Sequence, residues 1–199
     1  MIRAVARRAD NPIAKLIRWL DDARRMRIPN YEAMALATAA RGGKTSVRFV
    51  LLKGIDERGF LFFTDARSRK GRQLRANPRA SLAFYWQAKG RQVRVEGQVE
   101  EVTAAEADAY WRTRPRQSQL AASASRQSAR LRSREELLAR VAQAAAKCEG
   151  RDAARPSSWT GFRVRPDVIE FWTHREHRLH HREVYFRHGR GWRSDLLQP

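Results

Sequence analysis

A single cysteine, Cys148, stands in this chain, so no disulfide forms within it and a reducing, cytoplasmic setting is expected. No apolar run comes near the roughly 18 residues that a membrane-spanning helix needs. The basic segment Met1 to Arg8 has no apolar core, so no signal peptide is expected. Glycine-rich phosphate loops are missing too: no GxGxxG follows a predicted strand and there is no Walker loop. Neither an internal repeat nor a low-complexity tract is present. Acidic residues are scarce, 21 against 41 basic ones, which leaves a formal net charge of +20. Lysine is scarcer still. Only Lys15, Lys44, Lys53, Lys70, Lys89 and Lys147 carry an ammonium, and the other basic residues are arginines. The guanidinium fork matches phosphate oxygens bidentately, so a phosphate-bearing partner is one reading of this excess and a solvated surface the other. The arginines are scattered rather than gathered into one arm, which argues against a specific nucleic-acid partner.

What is present suffices for one folded domain of 199 residues, with 42% hydrophobic residues and residues 1–10 expected to be flexible. Asp10 or Asn11 caps a helix that opens on Pro12 and carries Ile13, Leu16, Ile17 and Leu20 at helical spacing. Strands are predicted at about 32–39, 46–55, 60–64, 80–86 and 91–102, the third entered by the hairpin turn Asp56-Glu57-Arg58-Gly59. A short helix runs from Ser68 to Asn77-Pro78. Thr103 to Glu106 is a capping box for a helix reaching Arg112. Further helices are predicted at 117–124 and from Ser133 to Cys148, ended by Glu149-Gly150. Strands follow at 162–172, 184–187 and 192–197. Seven or eight strands joined largely by tight turns predict a mainly β fold, an antiparallel barrel closed on itself and decorated by helices.

Three segments concentrate chemistry. Arg48 and Lys53 bracket the apolar run Phe49 to Leu52; five residues apart, they face opposite ways unless the strand ends between them. Phe63 to Lys70 leaves a strand and opens a helix, and Arg69 and Lys70 in its first turn oppose the helix dipole, a conflict that a bound anion resolves. Tyr110 and Arg114, four apart, are expected on one helix face, with Arg114 and Ser118 placed to donate to one phosphate. The segment Glu170 to Arg182 then packs Trp172, three arginines and four histidines into 13 residues. The arginines between His174, His177, His180 and His181 would repel a cation, so no metal site is expected.

In order along the chain, these motifs resemble those of the pyridoxine (pyridoxamine) 5'-phosphate oxidase family. The likeness runs from about Asn11 to Pro199. It rests on Arg48-x-Val50-Leu51-Leu52-Lys53, Phe62-x-Thr64 with Ser68-Arg69-Lys70, Asn77-Pro78, Arg91 to Gly97, Thr113-Arg114-Pro115 with Ser118-Gln119, Gln127-Ser128, Glu170-Phe171-Trp172 and Arg178-Leu179-His180-x-Arg182. The resemblance implies a split β-barrel homodimer, with residues 160–199 serving dimerisation and the active site and FMN held non-covalently at the subunit interface. It implies FMN contacts at Arg48, Phe63, Thr64, Arg69, Lys70, Gln92, Gln127, Ser128, Trp172 and Arg182. It implies a substrate phosphate held by Lys53, Tyr110, Arg114 and Ser118, and Arg178 and His180 as catalytic groups lying over the substrate ring. The implied reaction carries a hydride from the substrate C4' to FMN N5, with O2 as acceptor and hydrogen peroxide as product; no membrane is involved. Two positions depart from the family pattern: His181 stands where an acidic residue is usual, and Thr160 where Trp159-Thr160-Gly161 would usually have a second glycine. Two alternatives stand beside this reading. The same fold serves phenazine-biosynthesis FMN oxidases, toward which Ser123 to Ser128 and the ending Leu197-Gln198-Pro199 lean, although Lys53 and Tyr110 are generally lacking there. The other alternative is a non-catalytic flavin-binding module, prompted by the charge.

Overall fold

A computed structural model describes residues 11–148 and 151–199. The expectations for Asp10, for residues 1–10 and for the helix stop at Glu149-Gly150 lie outside those residues. Helix α1 (Pro12–Arg25) is capped by Asn11, whose Oδ1 accepts from the Ile13 amide at 2.9 Å. Its stripe Ile13, Leu16, Leu20 and Ala23 is buried in the core, while Ile17 lies outside the stripe and is exposed. Lys15, on the same helix, pairs with Glu183 and sits 4.4 Å from the centre of the Phe171 ring.

The strands are β1 (Ala33–Ala39), β2 (Thr45–Leu51), β3 (Gly54–Asp56), β4 (Gly59–Asp65), β5 (Arg79–Trp86), β6 (Arg91–Glu101), β7 (Trp159–Thr173), β8 (His181–His188) and β9 (Gly191–Leu197). The helices between them are α2 (Arg69–Ala76), α3 (Ala104–Arg112), α4 (Arg116–Ala124) and α5 (Arg134–Lys147). The single strand expected at 46–55 is divided into β2 and β3. The Leu52 amide donates to Glu32 and the Lys53 amide to Leu61, so here the chain leaves one side of the sheet for the other.

All ladders are antiparallel, in the order β2-β1-β5-β6-β7-β4-β3, with β8 on β7 and β9 on β8. Among the described residues no ladder joins β2 to β3. The sheet is curled into a half-barrel, a split barrel rather than the closed one that the hairpins alone suggested. Its core is aromatic and aliphatic, with Phe60, Phe62, Phe84, Val93, Val95, Phe162, Val164, Ile169 and Phe171 all buried. Each such ring or branched chain withdrawn from water contributes about 1.5–3 kcal/mol. No helix among the described residues is long and apolar enough to cross a membrane.

Strand β7 organises the molecule. On one side it pairs with β6 from Phe162 to Thr173; on the other it pairs with β4 over Trp159 to Val164 and then with β8 over Val168 to Thr173. The change of partner coincides with a register shift in the β6 ladder between Glu96 and Gly97, opposite Pro166. Proline cannot donate to a ladder and glycine admits close backbone approach, so the strand bends there. A Cβ on Gly97 would run into the Arg165 carbonyl. The two ends of β7 therefore carry different neighbourhoods, with Thr64 beside Thr160 at one end and Arg182 beside Trp172 at the other.

Candidate functional site

At the β4 end of β7, three elements converge on a cavity of about 520 Å³. Strand β4 brings Phe63, Thr64 and Asp65, helix α3 brings Tyr110, and helix α4 brings Ser118, Ala121 and Ala122. Lys53 reaches it from just beyond β2, which settles the Arg48/Lys53 question: the strand ends between them. Lys70, Arg114, Gln127 and Trp159 complete the lining used below.

Ser68 caps α2 through the Gly71 amide at 3.2 Å, and no acidic residue lies in the first turn of that helix. The Arg69 amide donates to Ser128 Oγ at 3.2 Å, and Ser128 adopts φ 72°, a left-handed conformation unusual for serine. Lys70 Nζ donates to Gln127 Oε1 at 2.6 Å and to Thr64 Oγ1 at 3.1 Å; Thr64 in turn donates to Gln127 Oε1 at 2.9 Å. Burial, then the nearby Arg48 charge, pushes the Lys70 ammonium below its ordinary pKa, and Asp65 offsets this in part. Burial, then Arg69, likewise pulls Arg48 down. The Asp65 carboxylate is turned to Arg67, which donates to it at 2.8 Å through Nη2. Arg48, Arg69 and Lys70 thus form a cationic cluster, repelling one another at a helix N-terminus, and an anion would relieve it.

Behind Arg48 lies a polar knot that the sequence did not announce. Arg48 donates to the Leu36 carbonyl at 3.1 Å, Thr38 Oγ1 at 2.7 Å and Ser46 Oγ at 2.5 Å. Thr38 and Ser46 both donate to Gln73 Oε1, at 2.6 and 2.7 Å. Gln73 is a buried polar residue on α2, and its partners lie 27 and 35 residues away. Nothing local marks it.

The second cationic group is Arg114. Sequence spacing placed Tyr110 and Arg114 on one helix face; in the structure α3 ends at Arg112, and Arg114 lies in the turn before α4. Both still line the cavity. Arg114 Nη2 donates to the Ser118 carbonyl at 3.2 Å. Its Nη1 is buried and, among the described residues, has no hydrogen-bond partner. Burial lowers the Arg114 pKa and raises that of Tyr110, and the two groups partly offset each other. A buried guanidinium nitrogen without an acceptor costs free energy unless a ligand supplies one.

The remaining expected residues gather at the other end of β7. Gln92, Trp172 and Arg182 are register partners across β6, β7 and β8 and form one row. The His180 ring lies 4.6 Å from Trp172, and its Nδ1 accepts from the Arg175 amide at 3.3 Å. Arg178 and His177 both adopt positive φ, 61° and 54°, in the turn leading to β8. Arg182 Nε donates to Glu170 Oε1 at 2.7 Å and its Nη1 to the Gln198 carbonyl at 3.0 Å. Of the two departures from the family pattern, Thr160 is buried and bonded to Glu101, while His181 is exposed and acts electrostatically on Glu183. From Thr160 to Trp172 is twelve residues of strand. That stretch is at most about 40 Å long at about 3.3 Å per residue, and Trp172 does not line the cavity that Thr64 lines.

The half-barrel thus carries a cavity lined by Lys53, Lys70 and Arg114, a cationic pocket suited to anions. Residues 20–148 match the family described as Pyridoxamine 5'-phosphate oxidase, and residues 159–199 match the Pyridoxine 5'-phosphate oxidase C-terminal dimerisation region. The chain belongs to the pyridoxamine 5'-phosphate oxidase family. It is 52% identical over 189 residues to a pyridoxine/pyridoxamine 5'-phosphate oxidase of Rubrobacter xylanophilus, covering 95% of this chain and 87% of the relative. It is 51% identical over 191 residues to one of Anaeromyxobacter dehalogenans, covering 96% of each. Among solved structures, PhzG from Burkholderia lata, in complex with tetrahydrophenazine-1-carboxylic acid, superposes with a TM-score of 0.91 at 37% identity, covering 100% of this chain and 98% of that one. A pyridoxamine 5'-phosphate oxidase-related, FMN binding protein from Nostoc punctiforme shares the fold, with a TM-score of 0.76 at 17% identity, covering 96% of this chain and 100% of that one.

Proposed function

We propose that the protein is an FMN-dependent oxidase that converts pyridoxine 5'-phosphate or pyridoxamine 5'-phosphate to pyridoxal 5'-phosphate, with O2 as acceptor. The observation that carries this reading is Arg114 Nη1, buried and without an acceptor, in a cavity that also gathers Lys53, Tyr110 and Ser118. That donor set suits a phosphate monoester. The Arg48, Arg69 and Lys70 cluster, with Thr64, Gln127 and Ser128 around it, suits a second phosphate, and so the residues present fit FMN. When bound, FMN would supply the acceptor for a hydride from the substrate C4' and the route for its electrons to O2, with hydrogen peroxide as product.

The chain's own contribution is binding and orientation. Lys53, Tyr110, Arg114 and Ser118 hold the substrate phosphate, which fixes where the ring lies in the cavity. Gln92, Trp172 and Arg182 lie along the flavin, and Arg178 and His180 lie over the substrate ring. His180 presents its imidazole on that face, and Arg178 orients the reacting carbon. Gln92, Trp172 and Arg182 do not line the cavity that Thr64, Lys70 and Arg114 line in the same chain. A two-fold homodimer brings the β7–β8 end of one protomer over the cavity of its partner, which agrees with the dimerisation region at 159–199. The setting is cytoplasmic, where the lone Cys148 stays reduced. The likeness to PhzG raises a phenazine precursor as a second substrate class, but four phosphate donors in the cavity favour the phosphorylated vitamers.

Anaerobic addition of either phosphorylated vitamer to the flavin-loaded protein bleaches the flavin absorption band, and air restores it with release of peroxide. A band that persists with both substrates rejects the reading; a non-catalytic flavin-binding module would behave in that way. A pH dependence follows from Lys70. Its pKa lies below the ordinary 10.5 in the free protein, and a bound phosphate favours the charged form. Flavin affinity is therefore level near neutrality and weakens as pH rises through the depressed lysine value. In Lys70→Arg, which stays charged, the decline disappears; titration of apoprotein with FMN between pH 7 and pH 10 measures both.

A further inference from the structure

Arg114 is held without a carboxylate. Among the described residues no ion pair involves it, and its hydrogen bond goes to the Ser118 carbonyl. What surrounds it is aromatic. Its guanidinium carbon lies 4.7 Å from the centre of the Trp159 ring and 5.2 Å from that of Trp111. Both indoles are almost wholly withdrawn from solvent, at 6% and 3% exposure. Cation–π attraction is strongest where water is excluded, so these rings stabilise the guanidinium without neutralising it. A carboxylate in their place would hold the side chain equally well but would compete with any incoming anion.

The indoles are themselves held. Trp111 Nε1 donates to the Ala153 carbonyl at 2.7 Å, and Trp111 meets Trp159 edge to face at 4.9 Å. The Trp159 carbonyl accepts from Arg155 Nη1 at 2.7 Å. Trp159 is also parallel to two further rings, Phe63 5.1 Å away at 5° and Tyr110 6.2 Å away at 2°, and those two stack on each other at 4.1 Å. Gly161 makes the stack possible, because a Cβ there would lie 2.7 Å from Phe63 Cε1. Phe63, Tyr110 and Trp159 thus form one aromatic wall of the cavity that Arg114 also lines.

We infer that Trp159 is a positioning and specificity residue: its indole face holds the Arg114 guanidinium ready for a phosphate while leaving the charge uncompensated, so the site selects phosphorylated over unphosphorylated substrate. This rests on the proposed oxidase function for its substrate, and on the geometry alone for anion binding. Trp159 acts through Arg114 and takes no part in the redox step.

The test uses the flavin-loaded dimer with Trp159→Leu and Trp159→Phe. In Trp159→Leu, KM for pyridoxamine 5'-phosphate rises about tenfold, the loss expected for one desolvated cation–π contact. Turnover number falls by less than KM rises, and kcat/KM falls several-fold more for pyridoxamine 5'-phosphate than for unphosphorylated pyridoxamine. Trp159→Phe keeps a ring on the Phe63 stack and gives a smaller rise, so it carries the test if the leucine variant does not fold. An unchanged KM, or an equal fall in kcat/KM for both substrates, overturns the inference. Should the wild-type protein turn over neither phosphorylated vitamer, the functional reading fails separately. Calorimetric titration with inorganic phosphate then decides: weaker binding in the variants supports the role of Trp159, and equal binding removes it.

Discussion

Arg114→Ala raises KM for pyridoxine 5'-phosphate by about 100-fold while the flavin remains bound. The magnitude follows from charge-assisted hydrogen bonds of about 1.5–3 kcal/mol, with each 1.4 kcal/mol worth tenfold. The effect is confined to substrate because Arg114 lies between α3 and α4, whereas the Arg48, Arg69 and Lys70 cluster stands on β2 and α2. Arg114→Lys restores little. An ammonium carries the charge but neither the planar fork nor the flat face that Trp159 and Trp111 cover. Steady-state kinetics together with the ratio of flavin to protein absorbance read both variants. A KM equal to that of the wild type would remove Arg114 from the phosphate pocket, and loss of flavin would mean that the two anion sites are not separate.

Activity returns when two inactive variants are mixed. Lys70→Ala disables the cavity half of a site and Arg182→Ala the β7–β8 half. If every site draws one half from each protomer, a heterodimer of the two variants has one site with both defects and one with neither. Random reassortment makes about half of the dimers mixed, so about a quarter of wild-type activity returns. If each chain built a complete site by itself, mixing would restore nothing. The separation of the two groups along β7 makes the first outcome the expected one. The measurement is peroxide formation after co-refolding, or after co-expression with two different tags.

Much of this was legible in the residues because the signals are local. Thr103 and Glu106 form the capping box that their spacing announces, with the Thr103 amide donating to Glu106 Oε2 at 3.1 Å. The dipole conflict at Arg69 and Lys70 pointed to an anion, and the structure puts Thr64, Gln127 and Ser128 around those residues. Spacing misled at Arg114, because α3 stops at Arg112 before the four-residue step is complete. It misled also at 46–55, where unbroken apolar character concealed a change of hydrogen-bond partner at Leu52 and Lys53. Gln73, Trp111 and Trp159 were missed as parts of the site. A glutamine on a helix and tryptophans in a core pattern look like ordinary packing until the groups they touch are known.

Element order, helix caps, the basic character and the succession of motifs belong to the sequence alone, since each depends on residues a few positions apart. Three things were settled only by the fold: the bend that gives β7 two sets of neighbours, the split of the expected residues between its ends, and the seating of Arg114 on two indoles with one nitrogen unpaired. Each depends on groups distant along the chain and brought together by burial of a shared core. Where a charge ends without a partner is a property of that packing.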